Sequence, residues 1–219
     1  LEKPRLHLGD LAAFVYGNLP AVMPLMFGTT GTNGKTSTSY ILEAILRQLG
    51  EVTGLTSTAE RHIAGEVIVS RLTTPESTEM QALIARMREA KVTSVAIEVS
   101  AQALTQHRID GMHFNVVGFT NLSHDHLDDY ADFEEYYAAK AQLFTPDVAR
   151  RGVVTVDDEW GVRLATEAHI PLATLATIPD SVGWATAQWK MTVTEQTQRA
   201  TSFVLQGPDG RELTTSVPL

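Results

Sequence analysis

The sequence of 219 residues contains no cysteine, and acidic residues outnumber basic ones. Without thiols, disulfide frameworks and thiolate metal sites are excluded, so any metal must be held by oxygen or imidazole, which favours magnesium-type chemistry. The formal charge of −9, from 17 Lys and Arg against 26 Asp and Glu, argues against sequence-independent nucleic-acid binding. An anionic ligand would need local help from backbone N–H groups and a few cations.

Long apolar runs are also lacking. No stretch approaches the roughly 20 residues that a membrane helix needs, and the first residues lack the layout of a signal peptide. We therefore expect no membrane partner and a cytoplasmic location. With 43% hydrophobic and 20% charged residues, the composition is that of an ordinary folded protein, and the length fits one main domain.

Strands and helices alternate along most of the chain. A strand predicted over 23–27 leads through a glycine-rich turn into a helix over 37–49. The other predicted elements are helices over 78–90, 133–144 and 160–168 and strands over 94–99, 115–119 and 152–156. This alternation predicts an α/β fold of P-loop type, with a mostly parallel sheet flanked by helices.

The two ends of the sequence depart from this pattern. Residues 1–22 are interpreted as a lead-in segment from a missing or truncated N-terminal domain, and residues 23–219 as the main domain. Short β runs around a Pro-Asp-Gly turn predict a small antiparallel β lobe at the C-terminal end, over about 186–219. No closing helix follows, so we expect the sequence to stop at a domain boundary.

The segment Thr30-Gly31-Thr32-Asn33-Gly34-Lys35-Thr36 is typical of a phosphate-binding loop. Backbone N–H groups of a glycine-rich turn and the dipole of the following helix form a concave anion site. Lys35 would add a charge near the terminal phosphates, and the Thr36 hydroxyl would reach Mg²⁺. The strict Walker pattern requires glycine where this chain has Thr29, so the loop is a variant. The alternative is a turn that only joins strand to helix, with Lys35 solvated.

This loop resembles the nucleotide loop of the Mur ligase family, ATP-dependent enzymes that add amino acids to the peptide of the cell-wall precursor. Three further stretches resemble the members that add the third residue: Leu72-Thr73-Thr74-Pro75-Glu76, Glu98-Val99-Ser100 and Asn121-Leu122-Ser123-His124-Asp125-His126-Leu127-Asp128. With Lys140 and Val156-Asp157-Asp158 they cover most of residues 24–165. The resemblance implies a three-domain enzyme of which this chain matches the central ATP-binding domain. The C-terminal ligase domain is therefore expected to be absent and the chain inactive by itself.

The resemblance also assigns roles to individual residues. It implies ATP binding by the loop 30–36 and Asn121, catalytic roles for Lys35, His126 and Lys140, and Mg²⁺ ligation by Thr36, Glu98, His126 and Lys140. It assigns binding of the muramoyl-peptide substrate to Thr73, Thr74, Ser100, Gln106 and Arg108. Lys140 resembles the family lysine that CO₂ carbamoylates, a modification that turns a cation into a carboxylate-like group able to hold a second Mg²⁺. Where the family has Ser-Ser-His, this chain has Ser100-Ala101-Gln102, which removes a hydroxyl and an imidazole from the family pattern.

Plainer interpretations of the same residues remain open. Glu98 could be a salt-bridged strand end, His126 a polar loop residue, and Lys140 an amphipathic-helix lysine whose stem lies along apolar surface. Pro75 favours extended backbone before it and leaves the hydroxyls of Thr73 and Thr74 free to bond a ligand, although Thr74 or a neighbour could instead cap a helix. His124, Asp125 and Asp128 around His126 could alternatively indicate a transition-metal site or a hydrolase.

The reaction that the resemblance implies is ATP-dependent amide ligation in peptidoglycan precursor synthesis. ATP would phosphorylate a carboxylate of UDP-N-acetylmuramoyl-L-alanyl-D-glutamate, and the amine of diaminopimelate or L-lysine would capture the acyl phosphate, with ADP and phosphate released. The expected cofactors are ATP, Mg²⁺ and carbamoylated Lys140, the partners are the UDP-N-acetylmuramoyl dipeptide and an amino acid, and the expected state is a monomer. Alternatives are a folylpolyglutamate- or cyanophycin-synthetase-like ligase and a non-catalytic nucleotide-binding module.

Overall fold

A computed structural model describes residues 3–123 and 130–218. The helices are α1 (Arg5–Val15), α2 (Lys35–Gln48), α3 (Ser77–Glu89), α4 (Ala101–Thr105), α5 (Phe133–Ala141) and α6 (Glu159–Glu167). The strands are β1 (Leu25–Thr30), β2 (Thr53–Thr56), β3 (Glu60–Ile63), β4 (Glu66–Val69), β5 (Ser94–Glu98), β6 (Val116–Phe119), β7 (Gly152–Thr155), β8 (Leu172–Ala176), β9 (Trp189–Gln196), β10 (Ala200–Gln206) and β11 (Glu212–Pro218). Within this part of the chain, no helix has the length and apolarity needed to cross a membrane.

All the strands form one 11-stranded sheet in the order β11-β10-β9-β8-β7-β6-β1-β5-β2-β3-β4. The strands from β9 to β2 in that order are parallel, and antiparallel pairs occur at both ends. The prediction of a mostly parallel sheet with helices and a C-terminal antiparallel region is confirmed. The antiparallel strands β9 to β11 continue the main sheet through the β8–β9 pair.

The core follows from the periodicity of the sequence. Every residue of β5 is buried, as expected for a central strand covered on both faces. On α3, Met80, Leu83, Ile84 and Met87 repeat at helical spacing and are all buried in the main apolar cluster. The helix ends at Glu89, with Arg86 and Arg88 in its last turn, where cations complement the helix dipole.

Strand register determines which residues meet at the carboxyl edge of the sheet. Strand β1 lies between β5 and β6, with Thr29 opposite Glu98 and Thr30 opposite Phe119. The loop after β1 therefore lies beside the end of β5 on one side and the segment after β6 on the other. Ligands of parallel sheets gather at such an edge.

Six elements, namely α1, α4, β2, β3, β4 and β8, have no counterpart in the sequence-based expectations. Residues 5–15, within the expected lead-in segment, form helix α1, which packs against α3. Strands β2 and β8 and the β3–β4 hairpin had no predicted counterpart. The hairpin turns at Ala64 and Gly65, both of which have positive φ. Most predicted boundaries lie within about two residues of the observed ones.

Candidate functional site

The loop between β1 and α2 depends on two glycines in conformations that side chains disfavour. Gly31 has φ of +142°, and a Cβ there would lie 1.9 Å from the Thr120 hydroxyl oxygen. Gly34 has φ of +87° and forms the N-cap of α2, a helix of 14 residues. The first N–H groups of α2 have no carbonyl partner within the helix, so the loop and the helix end together present N–H donors of the kind that bind anions.

Residues after β6 hold this loop in shape. The side-chain amide of Asn121 accepts a hydrogen bond from the Asn33 N–H at 3.0 Å and donates one to the Asn33 carbonyl at 3.2 Å. The Thr120 hydroxyl donates to the same carbonyl at 2.6 Å. Thr32 is joined to Ser123, whose N–H donates to the Thr32 hydroxyl at 3.0 Å. Asn121, an expected ATP residue, thus lies against the loop and shapes it.

Lys35, Thr36 and Glu98 meet at the start of α2. The Thr36 hydroxyl donates to both carboxylate oxygens of Glu98, at 3.1 and 3.0 Å. The Lys35 ammonium group donates to the Thr32 carbonyl at 2.8 Å. Glu98 is only 2% exposed, and a buried carboxylate needs hydrogen-bond donors from the protein, which the neighbouring residues supply.

Thr58 is a site residue that the sequence did not reveal. Its N–H donates to Glu98 Oε2 at 2.8 Å, and its hydroxyl lies 3.1 Å from each Glu98 oxygen. The Thr58 hydroxyl also lies 3.0 Å from the Thr73 hydroxyl. In the sequence, Thr58 is the last residue of a Thr-Ser-Thr run at the end of β2. Only a prediction that β2 pairs with β5 would have placed this run beside Glu98.

Lys140 lies on α5 and is 1% exposed. Its ammonium group donates to the Gly31 carbonyl at 3.0 Å and lies 4.1 Å from the centroid of the Tyr136 ring. The side chain therefore points from α5 toward the phosphate loop. The interpretation of Lys140 as a surface lysine of an amphipathic helix is wrong, because this side chain is buried at the site.

A cavity of about 280 Å³ brings the separate motifs together. Predicted site residues along its wall are Lys35, Thr73, Glu98, Ser100, Arg108 and Lys140. Its other lining residues are Thr58, Leu72, Ala101, Gln102, Tyr130 and Tyr136. The two positions that depart from the family pattern, Ala101 and Gln102, are thus part of this wall.

The expectation that Thr74 has a free hydroxyl is wrong. Thr74 is fully buried, and its hydroxyl donates to the Glu98 carbonyl at 2.8 Å and accepts from the Ser100 N–H at 3.2 Å. Thr74 does not cap α3 either, because the N-cap is Glu76. The residue joins the Thr-Thr-Pro segment to the end of β5 and so supports the cavity wall.

Ser100 and Gln106 also have structural partners. The Ser100 hydroxyl accepts from the Ala103 N–H at 3.1 Å and caps α4. Gln106 accepts a hydrogen bond from Arg108 at 2.7 Å through its side-chain oxygen. Of the expected substrate residues, Thr73, Ser100 and Arg108 line the cavity. Gln106 does not line it but is hydrogen-bonded to Arg108.

His126 and its neighbours His124, Asp125 and Asp128 lie outside the described residues. The expected roles of His126 in metal binding and catalysis therefore stay predictions. Among the residues that are described, no group of three or more His, Cys, Asp or Glu side chains is arranged to hold a metal ion. Of the predicted Mg²⁺ ligands, the structure describes Thr36, Glu98 and Lys140, and the first two are hydrogen-bonded to each other.

A second polar cluster joins α2 to the β3–β4 hairpin. His62 places Nδ1 2.8 Å from a carboxylate oxygen of Glu43 and Nε2 3.2 Å from one of Glu60. Hydrogen bonds from His62 and Tyr40 hold the pKa of the Glu60 carboxyl below its ordinary value. Burial raises the pKa of Tyr40. The cluster fixes the helix that begins at Lys35 relative to the turn that carries Thr58.

Comparison with known proteins gives a consistent family assignment. Residues 29–219 match the profile of the Mur ligase middle domain. A UDP-N-acetylmuramyl-tripeptide synthetase from Leifsonia xyli subsp. xyli is 59% identical over 216 residues, 99% of this chain and 41% of that protein. A UDP-N-acetylmuramoyl-L-alanyl-D-glutamate–2,6-diaminopimelate ligase from Streptomyces coelicolor is 43% identical over 219 residues, 100% of this chain and 42% of that protein. The chain thus spans about two fifths of the length of these relatives.

Solved structures share the fold. The structure of a UDP-N-acetylmuramoyl-L-alanyl-D-glutamate–2,6-diaminopimelate ligase superposes with a TM-score of 0.81 at 22% identity, covering 98% of this chain and 43% of that one. A bifunctional folylpolyglutamate synthase/dihydrofolate synthase from Yersinia pestis, complexed with AMPPNP and a Mn ion, gives a TM-score of 0.65 at 20% identity, covering 95% and 52%.

Proposed function

The chain belongs to the Mur ligase family, whose middle domain it contains, and we propose that it is the ATP-binding domain of an amide ligase of peptidoglycan precursor synthesis. The proposed reaction joins diaminopimelate or L-lysine to UDP-N-acetylmuramoyl-L-alanyl-D-glutamate through an acyl phosphate. The observation that carries the proposal is the cavity whose wall contains Lys35, Glu98, Arg108 and Lys140 together. A phosphate donor and an acceptor carboxylate can meet in such a space.

ATP is proposed to bind with its phosphates on the loop 30–36. The N–H groups at the start of α2 and the Lys35 ammonium group would neutralise phosphate charge there. The buried carboxylate of Glu98 and the hydroxyl of Thr36 are oxygen donors of the kind that Mg²⁺ prefers, so the residues present fit this ion. Bound Mg²⁺ would supply charge neutralisation for phosphoryl transfer.

Carbamoylation of Lys140 is part of the proposal. Lys140 lines the same cavity as Glu98, and its buried ammonium group lies beside the loop. Addition of CO₂ would replace that cation by an anionic group on the phosphate side of the cavity, where a second Mg²⁺ would otherwise be repelled. His126 is proposed as a further ligand on the strength of the resemblance alone.

The muramoyl dipeptide is proposed to bind along the wall formed by Thr73, Ser100 and Arg108. The Arg108 guanidinium is suited to carboxylate recognition because it presents several N–H donors in one plane. Thr74 and Gln106 would support this wall through their hydrogen bonds to the end of β5 and to Arg108. The names of the relatives favour the substrate UDP-N-acetylmuramoyl-L-alanyl-D-glutamate, and that of the Streptomyces relative favours diaminopimelate as the amino acid.

Other parts of the proposal follow from the same reaction. Its nucleotide-linked substrate and ATP favour a cytoplasmic site of action, and a monomer is proposed. The residues that select the amino acid are proposed to lie in the part of the relatives that this chain does not span.

Folylpolyglutamate-type ligation is the second candidate, because solved synthases of that class share the fold. The Thr73-Thr74-Pro75 segment, of which Thr73 lines the cavity, favours the muramoyl substrate, since it is one of the stretches that resemble the Mur ligases. Mass spectrometry of reactions with the complete protein, ATP and each acceptor distinguishes the two. Amide formation on the UDP-muramoyl dipeptide with diaminopimelate or lysine supports the proposal. Glutamate addition to a folate substrate, with none to the dipeptide, would refute it.

A further inference from the structure

Arg108, on the cavity wall, is held by three protein groups at once. Its Nη2 donates to the Gln106 side-chain oxygen at 2.7 Å and its Nη1 to the Thr74 carbonyl at 3.4 Å. Its Nε lies 3.0 Å from a carboxylate oxygen of Glu76, an ion pair in which the Nε N–H donates no hydrogen bond. These contacts use one N–H of each Nη group, which leaves the second N–H of each for an anionic group in the cavity.

Glu76 connects Arg108 to the first helix of the chain. Its second carboxylate oxygen lies 3.1 Å from Nη1 of Arg5, on α1. The same Arg5 nitrogen donates to the Gln106 carbonyl at 3.0 Å. A closed ring of contacts therefore runs through Arg5, Glu76, Arg108 and Gln106. This ring joins α1, the start of α3 and the segment after α4.

The charges of this ring favour an anion. Two guanidinium groups share one carboxylate, so one positive charge is left uncompensated within the ring. Arg108 is the more buried of the two, with 12% of its side chain exposed against 51% for Arg5. Glu76 holds Arg108 by charge on its Nε side, without a hydrogen bond from the Nε N–H, and the Arg108 side chain lines the cavity.

We infer that Glu76 and Arg5 are positioning residues for Arg108, and that through this ring helix α1 sets how tightly Arg108 binds an anionic group of the acceptor substrate. The inference rests on the proposed function for the identity of that substrate. A guanidinium whose orientation is fixed before binding loses less rotational freedom when the ligand arrives. Loss of Glu76 or Arg5 should therefore weaken binding of the acceptor and leave binding of ATP unchanged.

The test uses Glu76→Gln, Arg5→Met and their combination, with Glu79→Gln as the matched control. Glu79, in the first turn of α3, also pairs with an arginine, Arg61 at 2.6 Å, but Arg61 does not line the cavity whereas Arg108 does. Calorimetric titration with UDP-N-acetylmuramoyl-L-alanyl-D-glutamate should show affinity lowered about tenfold for Glu76→Gln and about threefold for Arg5→Met. The double variant should lose less than the two single losses combined, because Arg5 and Glu76 belong to one ring of contacts. Affinity for MgATP should be the same in all variants.

A second measurement needs no ligand. Nitrogen-15 NMR of the Arg108 guanidinium, assigned with Arg108→Lys, reports rotation about the Cζ–Nε bond. The rotation rate should rise about tenfold in Glu76→Gln, in line with its loss of affinity, and stay unchanged in Glu79→Gln. Unchanged rotation in Glu76→Gln, or additive effects of the two substitutions, would overturn the inference. A wild-type protein that binds no dipeptide while rotation responds as expected would refute the proposed substrate and leave the positioning role supported.

Discussion

The hydroxyl of Thr36 donates to both carboxylate oxygens of Glu98, although 62 residues separate the two in the sequence. The contact exists because β1 and β5 are neighbouring parallel strands with Thr29 opposite Glu98. The phosphate loop after β1 and the acid at the end of β5 therefore occupy one site. Several predictions about nucleotide binding depend on this pairing.

Replacing Glu98 with glutamine should weaken Mg²⁺-dependent nucleotide binding. The amide keeps the shape and one acceptor but loses the negative charge that would hold the ion. We expect ADP affinity in the presence of Mg²⁺ to fall about tenfold or more, and affinity with excess chelator to stay unchanged. Calorimetric titration measures both, and Glu79→Gln is the control. Equal Mg²⁺ dependence in wild type and variant would exclude Glu98 as a metal ligand.

Lys140→Ala should abolish ligase turnover in the complete protein, and excess CO₂ should not restore it, because the variant has no amine to carbamoylate. Nucleotide affinity should change by no more than about threefold, since the loop 30–36 is retained. A carbon-13 carbamate NMR signal should appear in wild type supplied with labelled bicarbonate and be missing from the variant. Turnover at the wild-type rate in Lys140→Ala would contradict the carbamate role.

His62→Phe should destabilise the protein through Glu43. The Glu43 carboxylate is 3% exposed, and its described side-chain partners are His62 and Thr53. Removing the imidazole leaves a buried charge poorly compensated, which should cost about 3 kcal/mol of unfolding free energy. Denaturant unfolding measures the loss, and His107→Phe at a half-exposed position is the control. Addition of Glu43→Leu should recover much of the loss, whereas no recovery would contradict the mechanism.

The ion pair between Arg163 and Glu167 should make stability depend on pH at the acid end. Hydrogen bonds from Arg163 and then Tyr137 lower the pKa of the Glu167 carboxyl below the ordinary 4.5. A carboxyl with a lowered folded-state pKa contributes stability above its unfolded-state pKa, and this contribution disappears as the pH falls through the folded-state value. Glu167→Gln should therefore flatten the loss of stability below pH 4.5. Parallel acid profiles for wild type and Glu167→Gln would contradict this account.

Local patterns predicted the elements that carry the phosphate loop. The glycines and the helical spacing after Lys35 lie within one short segment, so strand, loop and helix could be inferred without knowledge of distant contacts. The same holds for α3, whose apolar face is regular. The β3–β4 hairpin was missed because its strands are only four residues each, too short for a clear alternating pattern.

Side-chain roles were harder to predict where they depend on partners distant in the sequence. Thr58 meets Glu98 across 40 residues, and nothing near Thr58 indicates that contact. Thr74 was expected to offer its hydroxyl to a ligand, but the end of β5 uses that hydroxyl. A proline predicts extended backbone before it, so a hydroxyl there is not hydrogen-bonded within a helix. It does not predict which neighbouring strand will form a hydrogen bond with that hydroxyl.

Binding of MgATP by wild type and by Lys35→Ala tests most directly the central claim that the loop 30–36 holds the phosphates of ATP. Lys190→Ala, on β9, serves as the control for loss of a lysine elsewhere. Calorimetric titration should show one site in wild type, unchanged affinity in Lys190→Ala, and affinity lowered at least about tenfold in Lys35→Ala. No binding by wild type, or equal affinity in Lys35→Ala, would contradict the claim.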